Sequence, residues 1–413
     1  MRTAVMLFTR DLRIHDNPAL AAACDAGERV VPLYVDDPAE TRNANRRRFL
    51  LDALTDLRSS LRALGADLLV RRGDTAEAVM AVCRATGARA LAAAEDYGRE
   101  AARTRRSLRE ACERERIALR LLPGVTVVPP GRLRPAGGGD HYRVFTPYWR
   151  AWSNSRLRDI AAEPGRIALP EGVHGDDPAA VIATGGEAAR VPPGGETAAL
   201  GHLDGWAVRG VDYAAVHDDL AADATSRLSP HLAFGCLSAR ALAADPRVPD
   251  AMVRQLCWRD FHHQVLADFP DLDRRAYRRG DDEDWADDPD AVDAWRRGET
   301  GVPIVDAAMR QLLAEGWMHN RARLIAAGYL TKTLGLDWRE GAAHFEDHLV
   351  DLDVADNGGN WQWTAGTGND TRPNRGFNAE RQARRFDPHG AYRERWLGED
   401  FGGSGMKPLV RLT

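Results

Sequence analysis

Lysine is nearly absent from this chain. Only Lys332 and Lys407 occur among its 56 Lys and Arg residues, so almost every cation is a guanidinium, a planar fork suited to carboxylate and phosphate. No run of about 18 apolar residues occurs, which argues against a helical membrane span. The N-terminal MRTAVMLFTRDLR sets charge directly after a short apolar stretch, which argues against a secretory leader. Cys24, Cys83, Cys112, Cys236 and Cys257 are odd in number, widely spaced and without a C-x-x-C pair. That pattern gives no support to a metal site, an iron–sulfur cluster or a disulfide framework, and reads as reduced core thiols of a cytoplasmic protein. No glycine-rich phosphate loop follows the first apolar run, where TRDLRIHDN stands instead; a nucleotide binder of that kind is excluded. No internal repeat is evident.

What is present describes a soluble globular protein of more than one domain. A chain of 413 residues with 44% hydrophobic and 28% charged residues exceeds a single ordinary core. The net charge of −5 does not by itself suggest nucleic acid. Its distribution does: between Thr371 and Arg395 stand Arg372, Arg375, Arg381, Arg384, Arg385, Arg393 and Arg395 against Glu380, Asp387 and Glu394. A local basic surface on a mildly acidic protein is enough to hold a phosphate backbone.

Residues 1–128 read as an α/β domain. Apolar runs at 4–8, 30–35, 66–70, 89–94 and 117–122 alternate with helical patterns at 17–26, 44–64, 75–86 and 99–115, which implies a parallel, Rossmann-like sheet. Residues 129–203 are rich in Pro and Gly around one helical piece, FTPYWRAWSNSRLRDI, and read as an interdomain linker that is a plain tether. Residues 204–413 read as all-helical, with helical spacing at 236–245, 249–267, 303–315, 318–334, 338–349 and 377–385. They hold Trp206, Trp258, Trp285, Trp295, Trp317, Trp338, Trp361, Trp363 and Trp396, a density that fits a large aromatic core or an aromatic ligand.

Several clusters in this half carry chemistry. ATSRLSPHLAFG groups Thr225, Ser226 and Ser229 at a turn into a helix, where hydroxyls and free N–H groups serve either as caps or as an anion site. Gln255, Trp258, Arg259 and His262 recur at i, i+3, i+4 and i+7 and share one helical face, a combination suited to a planar heterocycle beside a phosphate. Asn320, Arg323 and Leu324 share another face, with Arg321 beside it. DLDVADNGGNWQW (351–363) crowds acids ahead of indoles rather than ahead of further oxygen ligands, so no metal is expected, and Arg323 is available to neutralise one carboxylate.

Taken together, these segments resemble the photolyase/cryptochrome flavoproteins. FTRDLRIHDNPAL, YRVFTPYWRAW, TSRLSPHLAFGCLS, WRDF, GVPIVDAAMRQLLAEGWMHNRAR, DWREG, DNGGNWQW and FNAERQARRFDPHG follow the family's order over essentially the whole chain. The resemblance implies an α/β antenna domain and a helical domain that holds FAD. It implies FAD contacts from Tyr213, Thr225, Ser226, Leu228 and Ser229, an ion pair Arg323–Asp351 beside the flavin, Asp353 at its polar ring edge and Asn357 facing its reactive nitrogen. It assigns Trp361, Trp338 and Trp285 to an electron relay from flavin to surface. Trp258 and Trp363 correspond to indoles flanking a flipped cyclobutane pyrimidine dimer, and Arg259, Asn320, Arg321, Leu324 and Arg375 to groups around the dimer and its phosphates.

The implied activity is light-driven repair of cyclobutane pyrimidine dimers in UV-damaged DNA, by a monomeric deoxyribodipyrimidine photo-lyase. Gln255 departs from the glutamate usual in dimer photolyases; its amide still donates a hydrogen bond but cannot transfer a proton. Leu324 replaces a common methionine with similar bulk. Relatives that repair (6-4) photoproducts need a histidine pair where Asn320 and Leu324 stand. EDYGREAAR (95–103) lacks the folate-binding glutamate and is closer to relatives with a deazaflavin antenna, so a deazaflavin or an empty pocket is expected. The competing reading is a blue-light-sensing cryptochrome; against it, about 17 residues follow Trp396, where signalling relatives append a long tail.

Overall fold

The computed structural model describes residues 1–37, 43–185, 189–210, 212–278, 284–369 and 376–398. Strand and helix alternate through β1 (Thr3–Phe8), α1 (Pro18–Ala26), β2 (Arg29–Asp36), α2 (Ala44–Ala63), β3 (Leu69–Arg72), α3 (Thr75–Thr86), β4 (Ala90–Glu95), α4 (Arg99–Glu115) and β5 (Ala118–Pro123). All strand pairs are parallel, in the order β3-β2-β1-β4-β5. The β1 segment TAVMLF is buried along its whole length because helices cover both faces of the sheet. The face under α1 and α2 carries Leu20, Phe49 and Leu57; the face under α3 and α4 carries Val79, Met80 and Leu108. The strand order reverses between β1 and β4, so the loops leaving those two strands flank a switch-point crevice.

The α1/α2 layer shares its core with Phe234, Cys236, Trp317 and Val350 of the helical half. The two halves are thus joined by apolar packing as well as by chain. Beyond residue 204 the described residues form no β-strand, only an isolated bridge between Ala286 and Leu336. The site is carried by helices Asp250–Asp268, Asn320–Gly328, Trp338–His348 and Val354–Ala365. The second of these runs on into a π-helical turn, Tyr329–Thr333.

The connection is not a plain tether. Its helix Phe145–Ser153 buries Phe145, Tyr148 and Trp152 against helix Asp250–Asp268. Asp260, fully buried in that longer helix, accepts hydrogen bonds from Val127 N (3.2 Å), Val128 N (2.8 Å) and Trp152 Nε1 (2.9 Å). Burial pushes its carboxyl up to about 6 despite these donors. At the other end, the buried Glu196 opens helix Glu196–Val208 and takes the N–H groups of Ile14 (2.8 Å) and His15 (3.2 Å), latching the connection to the sheet domain. Glycine and proline mark the irregular backbone here, but buried carboxylates fix its course.

Candidate functional site

Helix Val354–Ala365 forms although its sequence includes two adjacent glycines, a poor choice on propensity. Asp353 caps it, accepting from Ala355 N at 3.0 Å and Asp356 N at 3.4 Å. The glycines let it approach its neighbours: a Cβ on Gly359 would come within 2.7 Å of the His262 ring, and one on Gly358 within 2.8 Å of Leu272 O. Close contact with helix Asp250–Asp268 thus outweighs the local penalty.

Between these helices and the segment Tyr213–Ala233 lies a cavity of about 480 Å³. Tyr213, Thr225, Ser226, Leu228, Ser229, Arg323, Asp351, Asp353 and Asn357 all line it, as do Gln255, Trp258, Arg259, Asn320, Arg321, Leu324, Trp361 and Trp363. Residues spread over 150 positions in sequence are therefore brought to one space. Arg375 falls outside the described residues.

The polar groups in the cavity divide by what they bond to. Arg323 donates to Asp351 Oδ2 at 2.7 Å and to Met318 O at 2.8 Å, which establishes the expected ion pair. Asp351 Oδ1 and Thr225 Oγ1 are buried with no hydrogen-bond partner among the described residues. An unpartnered buried acceptor or hydroxyl is costly unless a ligand satisfies it, so both atoms fit a polar ligand such as FAD. Asn357 Nδ2 donates to Ala342 O at 3.2 Å, which orients its amide.

Asp353 is the most heavily compensated group. Its Oδ2 faces Arg10 Nη2 at 2.5 Å, His263 Nε2 at 3.0 Å and Arg259 Nη2 at 3.3 Å. Burial opposes ionisation, but His263, Arg10 and Arg259 win and hold the carboxyl well below its ordinary value. Arg10 stands in the loop after β1 and also contacts Asp96, after β4, at 3.3 Å. Sequence reasoning missed Arg10 and His263 as site residues. His263 lies one residue from the assigned helical face, and Arg10 lies in the FTRDLR motif, but its partners are remote in sequence.

Two arginines assigned to the substrate are already engaged. Arg259 is buried and donates to Val125 O at 2.7 Å besides its contact with Asp353. Arg321 grips Asp218 through Nη2, 2.8 Å from each carboxylate oxygen, and lies 4.3 Å over Phe386. Gln255 and Asn320 are exposed at the cavity wall. Trp258 stacks on Phe145 with centroids 3.6 Å apart and planes 4° from parallel.

Of the three tryptophans expected to form a relay, only Trp361 lines the cavity. Its ring lies over Gly341, where a Cβ would come within 2.1 Å of it, on the helix that Trp338 begins. Trp338 is fully buried, with the Arg339 guanidinium 4.9 Å over its ring. Trp285 is partly buried, beside the bridge between Ala286 and Leu336. Trp361 also meets Phe345 at 5.0 Å and Trp295 at 6.0 Å, and Trp295 was not among the expected relay residues.

Residues 4–165 match the family described as DNA photolyase, and residues 252–400 match the FAD binding domain of DNA photolyase. The chain is 48% identical over 411 residues to the deoxyribodipyrimidine photo-lyase of Streptomyces griseus, covering 97% of this chain and 90% of that one. It is 35% identical over 434 residues to the cryptochrome DASH of Gloeobacter violaceus, covering 96% and 86%. Among solved structures, an archaeal photolyase from Sulfolobus tokodaii, described with two FAD molecules, superposes with a TM-score of 0.90 at 28% identity, covering 99% of this chain and 96% of that one.

Proposed function

The chain belongs to the photolyase/cryptochrome family of FAD-binding proteins, and from that premise we propose that it repairs cyclobutane pyrimidine dimers in DNA under blue or near-ultraviolet light. The observation that carries this reading is a single cavity in which the flavin-side groups Thr225, Asp351 and Asn357 share walls with Trp258, Trp363 and Gln255. A planar lesion turned out of the helix can reach that cavity, and a dimer has a weakened stack to lose when it leaves the duplex.

When bound, reduced FAD supplies on illumination the electron that opens the cyclobutane ring and regains it afterwards, with no net redox change. The chain's own residues bind and orient. Thr225, Ser226 and Ser229 hold the diphosphate and ribityl side, and the Arg323–Asp351 pair places a fixed charge beside the ring system. Asn357, oriented by Ala342 O, presents its amide to the ring's reactive edge. Trp258, backed by Phe145, and Trp363 supply apolar faces for the pyrimidines. The exposed Gln255 side chain makes no hydrogen bond among the described residues, so its carboxamide is available to the pyrimidine carbonyls.

Trp361, Trp338 and Trp285 would pass electrons from a reductant in solution to oxidised flavin before repair. A deazaflavin antenna, or an empty antenna pocket, belongs to the same reading. The protein acts as a monomer in the cytoplasm. A light-sensing cryptochrome is the second reading, favoured by Gln255 in place of a proton-donating glutamate; the (6-4) reading lacks its histidines at Asn320 and Leu324. The test is illumination of the FAD-loaded protein with a duplex bearing one thymine dimer, followed by a dimer-specific nicking endonuclease. Light-dependent loss of nicking supports repair. Persistence of nicking in light would leave the cryptochrome reading.

A further inference from the structure

The connection between the halves contributes an aromatic and cationic surface next to the cavity. Arg254 is exposed on helix Asp250–Asp268, immediately before Gln255. Its guanidinium lies 5.2 Å over the Phe145 ring and 5.3 Å over the Trp149 ring, both on the connection's helix. Trp149 in turn stacks on Trp152 at 5.6 Å, and Trp152 is anchored to Asp260. Phe145 stacks on Trp258 of the cavity wall. One continuous array of rings therefore joins the cavity to Arg254.

The charge of Arg254 is uncompensated. Among the described residues no carboxylate pairs with it, and Asp250, one turn earlier and well placed for an i,i+4 pair, does not do so. Arg150, exposed on the connection's helix, likewise forms no ion pair among the described residues. This differs from Arg259 and Arg321, whose donors are taken by Asp353 and Asp218. A guanidinium already seated over two rings loses little side-chain freedom on binding, and its N–H donors remain free for a phosphate.

We infer that the connection's helix is part of the nucleic-acid interface, with Arg254 taking a backbone phosphate of the strand that carries the lesion, just outside the cavity mouth. The occupant is a polyanionic strand rather than a protein, because the surface is cationic, continuous with the cavity and built of rings that tolerate any sequence. Phe145 serves as a positioning residue in the same array, holding the plane of Trp258. This inference rests on the repair reading.

The test uses the full FAD-loaded chain and fluorescence anisotropy with two oligonucleotides, one undamaged and one bearing a thymine dimer, at several salt concentrations. Loss of one phosphate contact reduces the slope of log K against log salt by about one, and reduces affinity for both oligonucleotides alike. Arg254→Gln is expected to do so, with about tenfold weaker binding at low salt. Arg254→Lys should recover most of the slope, since the charge returns. Repair per bound complex should be unchanged in both. An unaltered salt slope in Arg254→Gln, with wild-type protein still selecting the dimer, overturns the interface alone. Wild-type protein that neither selects nor repairs the dimer overturns the repair reading, and this inference with it.

Discussion

Arg10 Nη2 lies 2.5 Å from Asp353 Oδ2, a contact that joins the loop after β1 to the cap of the helix bearing Asn357 and Trp361. The sheet domain thereby helps to hold the cofactor cavity. Arg10→Ala should cost about 2 kcal/mol, because a buried carboxylate loses one of its three side-chain partners but keeps His263 and Arg259. The loss should appear in chemical unfolding of the FAD-loaded protein at neutral pH. An unchanged midpoint would contradict this role.

Gly341 is the point at which the helix begun by Trp338 meets Trp361. Gly341→Ala should therefore force the indole aside, at a cost of about 1–3 kcal/mol from overpacking. Photoreduction of oxidised FAD should slow more than repair by pre-reduced protein, which transient absorption separates.

The relay makes a sharper claim. Trp338→Phe should abolish photoreduction while leaving repair by pre-reduced protein nearly intact; loss of both would make Trp338 a structural residue. Trp295→Phe is the companion experiment, since Trp295 stands 6.0 Å from Trp361. If that variant blocks photoreduction and Trp338→Phe does not, the electron leaves by Trp295 instead.

Gln255 should act on the lesion alone. Gln255→Ala is expected to weaken binding of dimer-bearing DNA about fivefold, the worth of one hydrogen bond of about 1 kcal/mol, and to leave undamaged DNA unaffected. Equal weakening of both by titration would place Gln255 in general strand contact.

Acid should expose a buried histidine. Burial and the neighbouring His202 push His231 down from 6.5 to about 4. The folded state then binds fewer protons than the unfolded state between those values, so this contribution is present above pH 6.5 and is lost as pH falls toward 4. Going from pH 7 to pH 4, the stability difference between wild type and His231→Gln should shift toward the variant by about 3 kcal/mol. No shift in paired denaturation curves would mean that His231 is not buried and neutral.

Much of this architecture was legible in the sequence, for identifiable reasons. The central strands β1, β2 and β4 are apolar on both faces, and four of the five strands lie within a residue of their expected bounds. The third was expected at 66–70 and is found at Leu69–Arg72. It pairs only with β2 in the sheet, and its last arginines extend it at that edge, where Arg71 pairs with Asp176 at 2.5 Å and Arg72 is exposed. Helix Val354–Ala365 was hidden by its glycines, because close packing against His262, not propensity, selects them. Helix Pro289–Arg297 did carry signals, an Asp288 cap, a proline at its start and Gly298 at its end, that went unread.

The cavity was legible where one helix carries several of its residues and where motifs resemble the family's. It was not legible where partners meet across the fold. No local pattern announces that Arg10 reaches Asp353, or that Asp218 occupies Arg321. The connection's packing was hidden for the same reason, since Asp260 organises it from more than a hundred residues away.

The central claim is tested most directly by single-turnover illumination of pre-reduced, FAD-loaded protein with DNA bearing one cyclobutane pyrimidine dimer, alongside the same DNA bearing one (6-4) photoproduct. The account predicts restoration of two intact pyrimidines from the first lesion, in light only, and no change in the second. A cyclobutane dimer that survives illumination, or disappears equally in darkness, would contradict it.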